Sequence, residues 1–439
     1  MKHTTVANNL VSEKTPISIV IDHLDERAEK PSGLLGLNWS LYLLMVLLTC
    51  GLLMPVTCKF FATSGWRWAH VMSVSLALSF CLSPFFSWVA RKFGILDRPH
   101  GRKLHQDATP LLGGAAVFIG FLVALLINGI FSMELGAILI AAIILFGVGV
   151  IDDIKEISAG IKLITQVLST LLVICSGIIL RVIPDNLGII AQMGNAVLTV
   201  VWIIGITNAM NFFDGMDGLA AGLGALVSFF LGVVAFQTNQ PFLGWVAVAM
   251  MGSCLGFLPF NFRPNGSAGI FLGDAGSMVI GFVLACIAVY GDWAEGKPVV
   301  ALVSPILIFW IFIFDMVHIT VERILTGKVL NFKQWIEYVG RDHLHHRLAN
   351  ALGGKKKSVL FIYLLCFCLG TSAVVLRNAS SGNALLLIIQ ASIIVVLITI
   401  LERRGRFANG TLDKKESSKK RYTRDGNQRS FRRGAVQKY

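Results

Sequence analysis

Apolar runs of roughly 20 residues recur along this chain, separated by short polar, glycine-rich or basic breaks. They fall at roughly 39–57, 69–90, 112–131, 135–151, 162–182, 196–212, 218–236, 242–260, 275–291, 298–320, 358–376 and 384–401. About 20 apolar residues in a helix span the ~30 Å hydrocarbon core of a bilayer. The pattern therefore predicts an all-α, polytopic membrane protein of about twelve helices. It also divides the chain. Residues 1–38 are polar and mixed in charge, with Lys14, Asp22, Asp25, Glu26 and Arg27, and contain nothing that looks cleavable. One helix and its linker occupy 39–68, a helical membrane unit runs over 69–401, and a basic tail fills 402–439.

Composition agrees with the pattern. The chain is 55% hydrophobic and 14% charged, with mean hydropathy +0.72; a soluble surface needs nearer ~25% charged residues. The connectors 91–111 and 321–357 are strongly basic, whereas 183–195 and 237–241 hold almost no basic residues. Positively charged loops stay in the cytoplasm, so both basic loops and, with an even number of spans, both termini are expected there. By the same parity, Asp152-Asp153, Asn211–Asp217, Arg263–Asp274 and His343–His346 share that face. Much of the net charge of +13 lies beyond Leu401. A basic tail after a membrane span suits contact with anionic lipid, at about 1 kcal/mol per residue, better than nucleic acid; a disordered tail without a specific partner is expected. The eight cysteines sit mostly in apolar runs and predict packing rather than disulfides or zinc.

Candidate chemistry gathers where the apolar runs end. In Asn208-Ala-Met-Asn211-Phe-Phe-Asp214-Gly-Met-Asp217-Gly218, polar residues recur three apart, which on a helix would turn Asn211, Asp214 and Asp217 toward one site. Asp152 and Asp153 close another run. Two carboxylates ~4 Å apart repel by ~4 kcal/mol at an effective dielectric of 20, so this pair calls for a cation, a shared proton or divergent directions. Asp274 lies between glycines in Phe271-Leu-Gly-Asp-Ala-Gly-Ser277. Oxygen donors of this kind suit magnesium, which takes carboxylates together with substrate phosphates. Lys103, His105 and Lys162 add positive charge. Arg341-Asp-His-Leu-His-His-Arg347 could hold a metal through its histidines, but its arginines favour phosphate. Acids for a metal facing cations for phosphates form the layout of phosphoryl transfer.

The motifs together resemble the polyprenyl-phosphate N-acetylhexosamine-1-phosphate transferases, a family that also holds the phospho-N-acetylmuramoyl-pentapeptide transferase. From about Gly94 to Leu348 they follow in family order: Asp97-x-Pro99-x-x-Arg102-Lys103-x-His105, Gly113-Gly114, Asp152-Asp153, Asn208-x-x-Asn211-x-x-Asp214-Gly-x-Asp217-Gly, Asn261-x-x-Pro264, Gly273-Asp274-x-Gly276-Ser277 and His343-x-His345-His346. The resemblance implies an eleven-helix core in the bacterial cytoplasmic membrane, with 39–57 as an extra amino-terminal helix and the active site open to the cytoplasm. It implies transfer of a sugar 1-phosphate from a UDP-N-acetylhexosamine, with N-acetylglucosamine favoured, to a polyprenyl phosphate such as undecaprenyl phosphate. UMP would be released, and a homodimer is compatible. Asp274 would ligate magnesium (manganese being the alternative), with Asn211 close by. Phe271 would stack on uracil with Asn261 beside it, and Asp214 and Asp217 would face substrate. Asp152 or Asp153 would act on the lipid phosphate as base or positioning group. His343, His345 and His346, with Lys103 and Lys162, would hold phosphates. Direct displacement is the expected mechanism, and a covalent phospho-aspartate the alternative.

Two features depart from the family. Residues 327–342 form a longer stretch than usual, and Asp315 follows Ile-Phe-Ile-Phe without the customary proline. Both bear on sugar recognition more than on reaction class. Two other classes share parts of this pattern. Asp214-x-x-Asp217-Gly-x-x-Ala221 copies the start of a CDP-alcohol phosphatidyltransferase signature, but Gly222 replaces the next arginine, and the two later aspartates are missing before Asp292. A twelve-helix secondary transporter would hold its polar groups at mid-membrane between repeated halves; here they cluster at the ends of runs.

Overall fold

The computed structural model describes residues 39–98, 108–293, 298–331, 334, 340, 342–376, 380 and 382–400. These residues are almost wholly helical. Eight helices are long and apolar enough to cross a membrane, or ten if each of two bent pairs counts as one span, and two shorter apolar helices accompany them. That makes twelve apolar segments in a multi-pass membrane protein. The bent pairs correct the expectation of a single helix at each of 39–57 and 298–320. Helix α1 (Trp39–Leu52) meets α2 (Pro55–Thr63) at 69°. Pro55 opens the second piece, where its missing N–H costs nothing. Fully buried His70 on α3 (Arg67–Lys92) ties this break to the bundle, with Nε2 2.9 Å from Leu52 O and Nδ1 2.9 Å from Asn128 Oδ1.

A two-residue hairpin, β1 (Leu96–Asp97) with β2 (Thr109–Pro110), leads into α4 (Gly113–Ile127). Helix α5 (Met133–Ile154) is capped by Ser132, which accepts from Leu135 N, and α6 (Ala159–Cys175) by Ser158, which accepts from Ile161 N. Helices α7 (Ile189–Phe213), α8 (Leu219–Gln237) and α9 (Pro241–Asn261) follow, then α10 (Gly273–Tyr290). Next come α11 (Pro298–Ile308) and α12 (Trp310–Leu325), bent by 77°. The short α13 (Leu344–Leu352), α14 (Lys355–Leu376) and α15 (Gly382–Ile400) complete the described chain.

The axis of the molecule is α10. It packs against α4, α5, α7 and α8, and almost every residue from Ala275 to Val289 is buried. Its first turn is approached so closely that side chains are excluded. A Cβ on Gly114 would lie 2.3 Å from Gly276 N, and one on Gly149 would lie 2.4 Å from Ala275 Cα. Small residues let membrane helices meet backbone to backbone. Here they bring the end of α5 and the start of α4 to the amino terminus of α10. The large side chains Ile140, Ile143, Leu168, Leu171, Val197 and Val201 stay exposed on α5 to α7, as lipid-facing positions do.

Candidate active site

The polar motifs at the ends of the apolar runs converge on one end of the bundle, around the first turn of α10. Asp152 and Asp153 take divergent directions there. Asp153 turns to α10, where Oδ1 accepts from Asp274 N at 2.8 Å and Oδ2 from Ala275 N at 3.3 Å. A carboxylate at a helix amino terminus meets unsatisfied N–H groups and the positive end of the helix dipole. Gly273 makes room for it: at φ +76° it adopts a conformation disfavoured for other residues, and a Cβ there would lie 2.5 Å from Asp153 Oδ2. Asp152 turns instead to Lys162 on α6, whose Nζ donates to Asp152 Oδ2 at 2.6 Å and to Asp274 Oδ2 at 2.5 Å. Its other oxygen accepts from Ile157 N at 2.8 Å. The ammonium thus bridges two acids from two helices, each still partly open to solvent.

Asn211 completes this centre. Its Nδ2 donates to Asp274 Oδ1 at 3.0 Å and to Ser277 Oγ at 2.9 Å, which leaves the amide oxygen turned away from both. One turn earlier, Asn208 and Gln166 exchange hydrogen bonds of 2.7 and 3.2 Å, fixing α6 against α7 and therefore Lys162 against Asn211. The three-residue spacing works as a helical face only this far. Helix α7 ends at Phe213, so Asp214 and Asp217 lie on a turn closed by Gly218 at φ +80°, and the single face expected for Asn211, Asp214 and Asp217 is not formed. Asp214 still belongs to the acid group. Enclosure by protein, with Asp274 and Asp153 as negative neighbours, pushes its carboxyl well above the ordinary range, against the pull of the Gly273 backbone.

Asp217 and Asn261 serve the loop that delivers Phe271 and Asp274. Asp217 Oδ2 accepts from Ala268 N at 2.9 Å. Buried Asn261 accepts from Gly218 N at 2.8 Å and donates to Ile270 O at 2.9 Å. With both ends of its amide on backbone, it acts as a brace between the two motif loops. Phe271 is half-buried; its N–H donates to Pro110 O, and its carbonyl accepts from Gly113 N at 3.0 Å. The Gly113-Gly114 motif therefore clamps the loop that precedes Asp274.

The histidines pack against Phe212 and Phe213 at the end of α7. His343 stacks on Phe212 with ring centroids 4.8 Å apart, and its Nδ1 is 2.9 Å from Asp315 Oδ2. His345 is buried beside Phe213. Burial, followed by the neighbouring charges of His346, His343 and Arg347, holds its imidazole well below the usual range and therefore neutral. Its ring and that of His346 are 4.2 Å apart. Among the described residues no group of three or more His, Cys, Asp or Glu is arranged to hold a metal, so these histidines do not form a metal cluster. Lys103 and His105 lie outside the described residues.

Of the α12 residues that seat this loop, the sequence singled out Asp315, through the missing proline before it, but not His318 or Arg323. Asp315 is fully buried, and Oδ1 accepts from Leu344 N at 2.7 Å. Arg323 forks onto Asp342 at 2.9 and 2.8 Å; burial pushes the Asp342 carboxyl up, but these hydrogen bonds together with the Arg323 charge, a backbone hydrogen bond and His343 hold it below the usual range. Arg347 reaches His318 Nδ1 at 2.8 Å. Residues 315, 318 and 322 are spaced three and four apart on a mainly apolar helix, a polar stripe that could have flagged a partner for the loop.

Comparison with known proteins agrees with this assembly. Residues 135–292 match the model of glycosyl transferase family 4. Over 336 residues the chain is 33% identical to a probable undecaprenyl-phosphate N-acetylglucosaminyl 1-phosphate transferase of Bacillus subtilis, covering 75% of this chain and 89% of that protein. It is 29% identical over 360 residues to a decaprenyl-phosphate N-acetylglucosaminephosphotransferase of Mycobacterium tuberculosis, with 74% and 87% covered. It is 30% identical over 318 residues to an undecaprenyl-phosphate alpha-N-acetylglucosaminyl 1-phosphate transferase of Yersinia pestis, with 69% and 84% covered. Likeness over most of both sequences places the chain in glycosyl transferase family 4, among the polyprenyl-phosphate N-acetylhexosamine-1-phosphate transferases.

Proposed function

We propose that this membrane protein transfers N-acetylglucosamine 1-phosphate from UDP-N-acetylglucosamine to a polyprenyl phosphate such as undecaprenyl phosphate, releasing UMP. The observation that carries the reading is the junction of Asp152, Lys162, Asp274 and Asn211 at the end of the helical bundle. A phosphate anchored in the bilayer and a nucleotide from solution could both reach such a place. The positive-inside pattern favours the cytoplasmic face of a bacterial inner membrane, and the lipid-linked product would start a cell-surface polysaccharide.

The donor set fits magnesium. Asp152, Asp153 and Asp274 formally set three negative charges against one on Lys162, leaving two uncompensated where phosphates must bind. Like charges ~4 Å apart cost ~4 kcal/mol at an effective dielectric of 20, so phosphates would be repelled without a further cation. Asp274 and Asn211 are the residues that would hold it, with hard oxygen donors of the kind magnesium takes. When bound, it would screen the diphosphate and ease departure of UMP.

The remaining work falls to the chain. A phosphate monoester has a second pKa of ~6, so the lipid phosphate is largely dianionic at neutral pH and positioning matters more than deprotonation. One of its oxygens forms a bond to the β-phosphorus of the UDP-sugar while the bond from that phosphorus to the UMP oxygen breaks. Among the described residues Lys162 is a cation placed to meet phosphate at this centre, and Asp152 holds it. Asp153, Asp152 and Asp274 each accept hydrogen bonds on both oxygens. Such bonds stabilise a carboxylate and blunt it as a nucleophile, which favours direct displacement over a phospho-aspartate. The test is transfer of labelled sugar phosphate from UDP-N-acetylglucosamine to undecaprenyl phosphate by purified protein. Lipid product and UMP should appear with magnesium and vanish with chelator. Failure by well-folded protein across a panel of UDP-N-acetylhexosamines would defeat the reading.

A further inference from the structure

Asp315 is a carboxylate buried within α12, and the reaction outlined above gives it no role. An acid at bilayer depth costs roughly 2.5–3.5 kcal/mol on insertion scales, so its two hydrogen bonds need a reason. One is local: Oδ1 accepts from Leu344 N at 2.7 Å and starts α13. The other is chemical: Oδ2 faces His343 Nδ1 at 2.9 Å. An ionised carboxylate can only accept, so the nitrogen facing it carries a proton, and the bond at one ring nitrogen decides what the other offers. Nothing else about the ring is loose. Phe212 lies over it at 4.8 Å and 31°, and His345 runs nearly parallel at 5.9 Å and 17°. Phe212 follows Asn211, whose amide holds Asp274, so the imidazole is registered to the acid centre by one residue step on α7.

We propose that Asp315 is a positioning residue of the transfer site: it keeps a proton on His343 Nδ1 and so presents Nε2 to the sugar-phosphate part of the UDP-sugar. What Nε2 meets rests on the transferase reading; the proton on Nδ1 does not. The alternative is that Asp315 only caps α13. Asp315→Asn separates the two, because its oxygen can still accept from Leu344 N while its NH2 turns to His343 and demands an unprotonated Nδ1.

The experiment reads the ring directly. Nitrogen-15 spectra of substrate-free protein, with His343 assigned by its loss in His343→Gln, should show a protonated Nδ1 in the wild type and an unprotonated one in Asp315→Asn. An unprotonated Nδ1 in the wild type overturns the proposal without need of any variant, even if Asp315→Asn fails to fold. With UDP-N-acetylglucosamine, Asp315→Asn should lose about 10- to 100-fold in turnover, the loss typical when the partner orienting a functional imidazole is removed, with its melting temperature kept. The double variant with His343→Gln should be no worse than His343→Gln alone, as for two residues acting as one unit. Additive losses, or a His343 ring unchanged by Asp315→Asn, would reduce Asp315 to a helix cap. Because the spectra need no substrate, an inactive wild type would count against the transferase reading and not against the proton on Nδ1.

Discussion

Adjacent identical residues can hold different roles, and Asp152 and Asp153 show how. The sequence presents an acid pair and leaves open a cation, a shared proton or divergence; the structure uses divergence and a cation together. Which acid turns where depends on Gly149 and Gly273 bringing α10 within reach, and no feature of the pair itself carries that information. Asp153 is bound to two backbone N–H groups of α10, so Asp153→Ala leaves donors orphaned in the interior. Such a loss costs ~1–3 kcal/mol, and a lowered melting temperature in detergent should accompany the loss of turnover. Asp152→Ala leaves Lys162 paired with Asp274 and turns Ile157 N toward water. It should melt close to the wild type and yet transfer little or no sugar phosphate. Equal melting of the two variants would dissolve the division of labour.

At the scale of elements, length and apolarity found all twelve segments but not their shapes. Pro55 marks the break between α1 and α2 and could have been read. The bend between α11 and α12 falls at Phe309, four residues past Pro305, whose carbonyl still accepts from Phe309 N at 3.0 Å. The end of α7 was readable in principle: glycines at 215 and 218 punctuate Asp214–Asp217, and glycine is the commonest residue past a helix end. Following the three-residue spacing through them overextended the helix. The Gly113-Gly114 and Gly276 motifs, by contrast, are explained by contact. A side chain on Gly114 would strike the Gly276 backbone, which has nowhere to move. Gly114→Val should therefore separate α4 from α10 and cost ~3 kcal/mol or more, beyond the usual range for overpacking because backbone is struck. The variant should show a marked fall in melting temperature. Unchanged melting would mean that the two helices do not touch as described.

For the whole molecule, the question is which side of the membrane the polar centre faces. Parity along the chain put four motif-bearing connectors on one side, and side chains from three of them meet at one end of the bundle together with Lys162 of α6: Asp152 and Asp153 from α5, Asn211 from α7, Asp274 from α10. Convergence follows from packing, whereas sidedness follows from charge. The described residues around the centre include Arg91, Lys92, Lys155, Lys355, Lys356 and Lys357, while the opposite connector from Ser176 to Gly188 holds only Arg181. Positively charged short loops resist translocation, so the polar centre should face the cytoplasm. Glu156 and Asn186 are exposed residues at the two ends of the α6 passage. In protein whose native cysteines are replaced, Glu156→Cys should escape a membrane-impermeant maleimide in intact cells and react once they are opened, whereas Asn186→Cys should react in both. The reverse pattern would put the polar centre outside, where a UDP-sugar made in the cytoplasm could not reach it, and would set the charge pattern against the proposed reaction. Labelling of both sites in intact cells would instead show that α6 does not cross. At 17 residues it spans only ~26 Å, so it needs thinning of the bilayer or support from its neighbours to bridge the hydrocarbon core. Its polar anchors suit that need: Gln166 is held to Asn208 at mid-helix, and Thr199 accepts from Leu180 N beyond its end, so α7 supports α6 across.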